Sequence, residues 1–123
     1  MTDNCEIYVK LQNARASGIL WPKLRLSSYV FSPSRYPNTI YVKHSDGTYL
    51  GKIVSYAFYA ASPHITTEAM RHEIHTLIRT SLSESLRVYG IQTGQCGCCG
   101  RKLTAADSIR NNIGPICAEK FGF

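Results

Sequence analysis

The feature that most constrains this chain is the placement of its cysteines. It has five in 123 residues, and four of them, Cys96, Cys98, Cys99 and Cys117, fall within the last 28. Cys5 stands apart near the start. An odd, clustered set in a chain whose polar, acidic opening does not read as an export signal argues against a disulfide framework. It argues for a metal site. Cys96 and Cys99 form a Cys-x-x-Cys pair, and Cys117 follows after 17 intervening residues. Two thiolates at that spacing grip one ion, and this donor set predicts structural Zn2+. Gly97 and Gly100 let the backbone turn tightly and aim N–H groups at sulfur.

The segments around these cysteines complete a module over residues 94–123. Thr104 reads as the cap of a short helix with Asp107 in its first turn, broken at Asn111-Asn112. Gly114-Pro115 is a turn, with Pro115 suited to a first helical position. Cys117 then sits in the first turn of a last helix, where free N–H groups and the helix dipole favour a thiolate. A knuckle, a linker and a ligand-bearing helix start make a treble-clef-like layout. A structural zinc wants four ligands. The candidates for the fourth are Cys98, ranked first, then His64, His72 and His75, with Cys5 and Asp107 also open.

Upstream the pattern changes. Ile7, Val9 and Leu11 alternate with polar neighbours, which predicts a strand over 6–11. Residues 19–31 hold one or two short strands, with Pro22 at an edge or strand start and Arg25 facing water between Leu24 and Leu26. A loop with two prolines follows over 32–39. The stretches 39–43 and 48–59 are rich in β-branched and aromatic residues and flank Asp46-Gly47, a strong hairpin signal. Gly51 marks a bulge or bend in the long second strand. After Ser62-Pro63, Thr66 or Thr67 caps a helix. Met70, Ile74, Leu77, Ile78, Leu82, Leu86 and Tyr89 recur at helical spacing, and Gly90 ends it, giving one helix of roughly six turns.

The expected fold is therefore α+β. A small antiparallel curled sheet (β-rich basic region, 1–62) packs on one long amphipathic helix (63–90), followed by the zinc module (94–123). No run approaches the ~20 apolar residues of a membrane-spanning helix, so the expectation is a cytoplasmic protein without membrane contact.

Charge bears on partners. The chain carries 14 Lys+Arg against 8 Asp+Glu, a net charge of +6. Seven basic and three acidic side chains lie in residues 1–60, leaving +4 there. Interleaved with Tyr29, Phe31, Tyr36, Tyr41, Tyr49, Tyr56 and Tyr59, these cations predict DNA or RNA binding, with Lys23, Arg25, Arg35, Lys43, Lys52, Arg101 and Lys102 as contacts. The alternative is a protein-binding factor whose zinc is purely structural. No nucleophile elbow, Walker loop or zinc-protease helix is present, and in Arg71-His72-Glu73-Ile74-His75 the histidines are three apart rather than four. The expectation is a protein that is not an enzyme.

The string Cys96-x-x-Cys99-Gly100-Arg101-x-Leu103-Thr104, with Ser108 and then Ile113-Gly114-Pro115-x-Cys117-Ala118, resembles a small zinc-finger-like domain of unknown function found in many phage proteins. Ser34-Arg35-x-Pro37, Ile40-Tyr41-Val42 and Tyr49-Leu50-Gly51-Lys52-Ile53 resemble, more loosely, the segment that precedes it in small phage proteins. The resemblance implies a metal-binding module, a phage or prophage origin in a bacterial host cell, and, for the protein-binding alternative, a host or anti-phage defence protein as target. Many members carry an aspartate directly after the Leu-Thr pair, where this chain has Ala105.

Overall fold

A computed structural model describes residues 5–123; the reading of residues 1–6 as no export signal lies outside them for its first four positions. The first described element corrects an expectation. Residues 6–11 are not a strand but the start of helix α1 (Glu6–Ala16). The buried positions are Ile7, Leu11 and Ala14, a helical spacing, while Val9 is exposed. Helical period wins because Ala14 extends the apolar face one turn beyond the run that looked alternating.

The sheet follows as an uninterrupted antiparallel meander: β1 (Leu24–Leu26), β2 (Tyr29–Pro33), β3 (Thr39–His44), β4 (Tyr49–Val54) and β5 (Ala57–Ala60), in that spatial order. The Asp46-Gly47 hairpin forms where expected, between β3 and β4. The single strand expected over 48–59 is instead two, folded back at Ser55-Tyr56 so that Val54 pairs with Ala57. Ser55 takes the left-handed conformation (φ 58°) this turn requires, as Ser27 does (φ 54°) between β1 and β2. The bulge falls at Gly51: the β3–β4 register slips there, and Leu50 and Gly51 are buried in succession. The proline loop shrinks to 34–38, since Ser32, Pro33 and Thr39 belong to strands.

One face of the sheet is the core. Leu24, Leu26, Phe31, Ile40, Val42 and Ile53 are all at most 1% exposed. Burial of this kind stabilises by ~1.5–3 kcal/mol per large side chain. α1 packs on β2, α2 (Glu68–Arg79) on β5 and α3 (Leu82–Thr93) on β1.

α2 and α3 correct the expectation of one long helix. Thr67 does cap α2, accepting from the Met70 N–H at 3.2 Å. At Thr80 and Ser81 the backbone turns extended and the helix breaks. Ser81 does not cap α3 with its own side chain. Glu6 does so from α1, accepting from the Leu82 N–H at 2.8 Å. Gly90 is not the C-cap either; α3 runs on to Thr93 and Gly94 caps it in the left-handed conformation. Gly90 lacks a side chain because Asn112 sits against it: an added Cβ would lie 2.7 Å from the Asn112 Cβ.

Two short helices close the chain, α4 (Ala106–Asn111) and α5 (Pro115–Phe121). The cap of α4 falls at Ala105, without a side-chain bond, rather than at Thr104; Asn112 ends it, as expected. α5 packs on α1, where Lys10, Asn13 and Ser17 donate to the carbonyls of Gly122, Phe121 and Lys120. No helix among the described residues is long and apolar enough to cross a membrane.

Candidate metal centre and open sheet face

The knuckle is a small hairpin after α3. Gln95 bridges to Lys102, the Cys96 N–H donates to the Arg101 carbonyl at 2.9 Å, and the Gly100 N–H donates to the Cys96 carbonyl at 2.7 Å. Pro115 opens α5, which places Cys117 in its first turn. These elements bring the sulfur atoms of Cys96, Cys99 and Cys117 within 4.8 Å of one another. Tetrahedral sulfurs around one zinc, at ~2.3 Å from the ion, stand ~3.8 Å apart, so the group fits a thiolate-bound metal. No other Cys, His or carboxylate ligand atom among the described residues joins that group.

The electrostatics of the cluster fit the same use. The Cys98 thiol donates to the Cys96 sulfur, and N–H groups of Gly114, Cys99 and Cys98 point at it; against the effect of burial they hold Cys96 down to about 4. Cys98, the buried donor in that bond, is pushed far up. Burial, and then the negative charge of Cys96 and Cys99, raises Cys117 to about 12. Thiolates this close repel one another, and a divalent cation between them removes the repulsion. The cluster opens on a cleft of about 540 Å3 whose walls include Arg101, Lys102, Thr104 and Lys120.

The other proposed fourth ligands lie elsewhere. Cys5 is buried in the core at the start of α1. Asp107 is exposed and pairs with Arg110 at 3.4 Å. His72 and His75 are on α2, His75 edge-on to Phe58 at 6.2 Å, and His64 is exposed before α2.

Residues 87–122 match a family of unknown function (DUF6011). No curated protein and no solved structure matches the chain. The matched segment takes in the second half of α3, the knuckle, α4 and α5, so the sheet lies outside it.

The knuckle is nonetheless fastened to the sheet, through Arg25. The Arg25 N–H, at the outer edge of β1, donates to the Gly97 carbonyl at 2.7 Å. Its guanidinium crosses Gly100 and donates to the Cys98 carbonyl at 3.0 Å. Arg25 was expected to face water; it is half-buried because the knuckle caps the free edge of β1. Gly97 is required here, since a Cβ would lie 2.8 Å from the Arg25 carbonyl oxygen and collide with Leu86.

The outer face of the sheet is built by strand register. Ser32, Tyr41, Lys52 and Tyr59 form one row straight across β2 to β5. Arg25, Val30, Lys43 and Tyr49 form the next row. The Tyr41 and Tyr49 rings meet edge-on at 5.8 Å between the rows. Lys43, Lys52, Tyr49 and Tyr59 are exposed. Between residues 19 and 61 the only acidic side chain is Asp46, in the β3–β4 turn. Three of the contacts expected from sequence, Arg25, Lys43 and Lys52, thus share one face. Lys23 and Arg35 flank it across a cleft with Trp21. Arg101 and Lys102 belong to the knuckle. Trp21, 82% exposed, was not singled out in the sequence; an apolar residue beside Pro22 reads as core unless its neighbours across the sheet are known.

Proposed function

We propose that this is a non-catalytic binding protein, a zinc-stapled scaffold that holds single-stranded nucleic acid on the open face of its sheet. The observation that carries the reading is the outer face itself, where exposed lysines alternate with tyrosines and no strand contributes a carboxylate. Tyrosine faces stack on bases while lysine and arginine neutralise phosphates, and a sheet is a platform that presents both at once. The contacts are Lys23, Arg35, Lys43 and Lys52. Arg25 is left out of the contact set because Cys98 already engages its guanidinium.

The metal we assign is Zn2+, held by Cys96, Cys99 and Cys117 in a treble-clef-like module. Cys98 is the first choice for the fourth donor because its thiol lies beside the Cys96 sulfur; it stands outside the group of three mutually close sulfurs and would have to turn toward the ion. The role is structural: the ion ties the knuckle to α5, and the knuckle covers the edge of β1. The resemblance of residues 94–123 supports a phage or prophage setting in a bacterial cytoplasm.

Fluorescence anisotropy with labelled single strands at rising salt tests the reading. Four phosphate contacts predict a log–log slope of about −3. Absence of binding at low salt to single-stranded and duplex probes alike would refute it. A nuclease-resistant, stoichiometric protein partner recovered from host lysate would then favour the protein-binding alternative. Metal analysis should return about one zinc per chain.

A further inference from the structure

The chain has one tryptophan, and it is on the surface. Trp21 is 82% exposed and the neighbouring Leu20 is 77% exposed. A tryptophan left this open is more informative than a small apolar residue, because it is on average highly buried and carries a large apolar area. Trp21 does not stand on a flat surface. With Lys23, Pro33, Ser34, Arg35 and Tyr41 it lines a cleft of about 390 Å3 between the segment leading into β1 and the start of the β2–β3 turn.

Two features make the cleft a built one. Its far wall is fixed: the Ser34 hydroxyl, 5% exposed, donates to the Tyr36 carbonyl at 3.1 Å and accepts from the Tyr36 N–H at 2.9 Å, and this pins the turn that carries Arg35. Its polarity is one-sided: Lys23 and Arg35 stand among its lining residues, and no carboxylate does. An aromatic plate between two cations suits a flat, electron-rich group attached to phosphate. Tyr41, on the inner wall, is also a member of the row Tyr41, Lys52, Tyr59, so the cleft leads directly onto the open face.

We infer that this cleft takes one unstacked base of a single-stranded nucleic acid, with Trp21 as the stacking plate and Lys23 and Arg35 holding the adjoining phosphates. The inference rests on the reading of the sheet face given above. It adds a residue, Trp21, and a binding mode, one base unstacked into the cleft, which that reading does not require. A duplex keeps its bases stacked inside and cannot offer one to the cleft, whereas a single strand can.

The sole tryptophan is its own reporter. Zinc-loaded full-length protein is titrated with a short oligothymidylate, reading tryptophan emission and, with a fluorescein-labelled copy, anisotropy; inorganic polyphosphate serves as the charge-only probe. Oligothymidylate should quench Trp21 saturably, in step with anisotropy, while polyphosphate binds without quenching. Trp21→Ala should weaken oligothymidylate binding about 5- to 150-fold, the range for one lost base–aromatic stack. It should leave polyphosphate binding and the melting temperature unchanged, because the side chain is solvent-exposed. Trp21→Phe should recover part of the loss. Binding of the oligonucleotide without quenching, or with Trp21→Ala unaffected, overturns the inference and leaves the reading of the sheet face standing. Tighter binding of duplex than of single strand also overturns it. No binding of either at low salt overturns both.

Discussion

Arg25→Ala is the substitution that most directly tests how the cysteine knuckle and the sheet are joined. The Arg25 guanidinium donates to the Cys98 carbonyl at 3.0 Å, inside the loop that presents Cys96 and Cys99. A hydrogen bond to a charged donor contributes ~1.5–3 kcal/mol, and half-burial puts this one at the lower end, about 1.5–2 kcal/mol. The backbone bond from the Arg25 N–H to the Gly97 carbonyl survives the substitution, so the knuckle stays on the edge of β1 but its ligand-bearing turn is less fixed. Converted at 1.4 kcal/mol per tenfold, the loss is about 10- to 30-fold in zinc affinity, which lies within the range seen when groups that orient metal ligands are removed. The melting temperature of the zinc-loaded protein should fall by about 6–8 °C. Competition with a chromogenic chelator gives the affinity and scanning calorimetry gives the midpoint. Lys43→Ala, in the same cross-strand row but without a bond to the knuckle, is the control and should move neither. Zinc affinity within about twofold of the unmodified protein for Arg25→Ala would refute the coupling.

Three further outcomes follow from the same geometry. Cys96→Ser, Cys99→Ser and Cys117→Ser should each abolish stoichiometric zinc binding, and metal analysis of Cys98→Ser decides the fourth donor: retention of tight binding removes Cys98 from the site. Cys117, raised to about 12, must lose its proton to bind an ion at neutral pH. Zinc loading should therefore release at least about one proton per ion in lightly buffered solution, and affinity should fall as pH falls, because protons compete for the sulfurs. Glu6→Ala removes the acceptor of the Leu82 N–H and should lower stability by about 1–2 kcal/mol in urea titration, with Glu6→Gln recovering part of it.

The cysteine site was legible because its information is local. Cys96, Cys99, Pro115 and Cys117 each act through their own turn or helix start, so spacing alone brings three sulfurs toward one point. The Asp46-Gly47 hairpin was legible for the same reason. What was not legible depended on distant partners. Ile7, Val9 and Leu11 satisfy a strand's period, and only burial of Ala14 against the assembled core selects the helix. Ile74, Ile78, Leu82 and Leu86 keep a spacing of four through the break between α2 and α3, so the pattern carries no sign of it. The cap that starts α3 comes from Glu6, at a separation of 76 residues. The hairpins at Ser27-Ser28 and Ser55-Tyr56 lack the residues that usually announce such turns. Arg25 looked like a solvent-facing cation because its true neighbour, the Cys98 carbonyl, is 73 residues away.

The clasp between α1 and α5 sets the order in which the chain can mature. Lys10 reaches the Gly122 carbonyl over a separation of 112 residues, and Asn13 and Ser17 reach across similar spans. At ~5–20 residues per second of synthesis, α1 leaves the ribosome about 5–20 s before its partner helix exists. Cys117 arrives on that same helix, so the three-cysteine cluster cannot assemble until the clasp can. The sheet, made wholly of neighbouring hairpins, has no such delay. Translation thus yields the open face first and the cysteine cluster last.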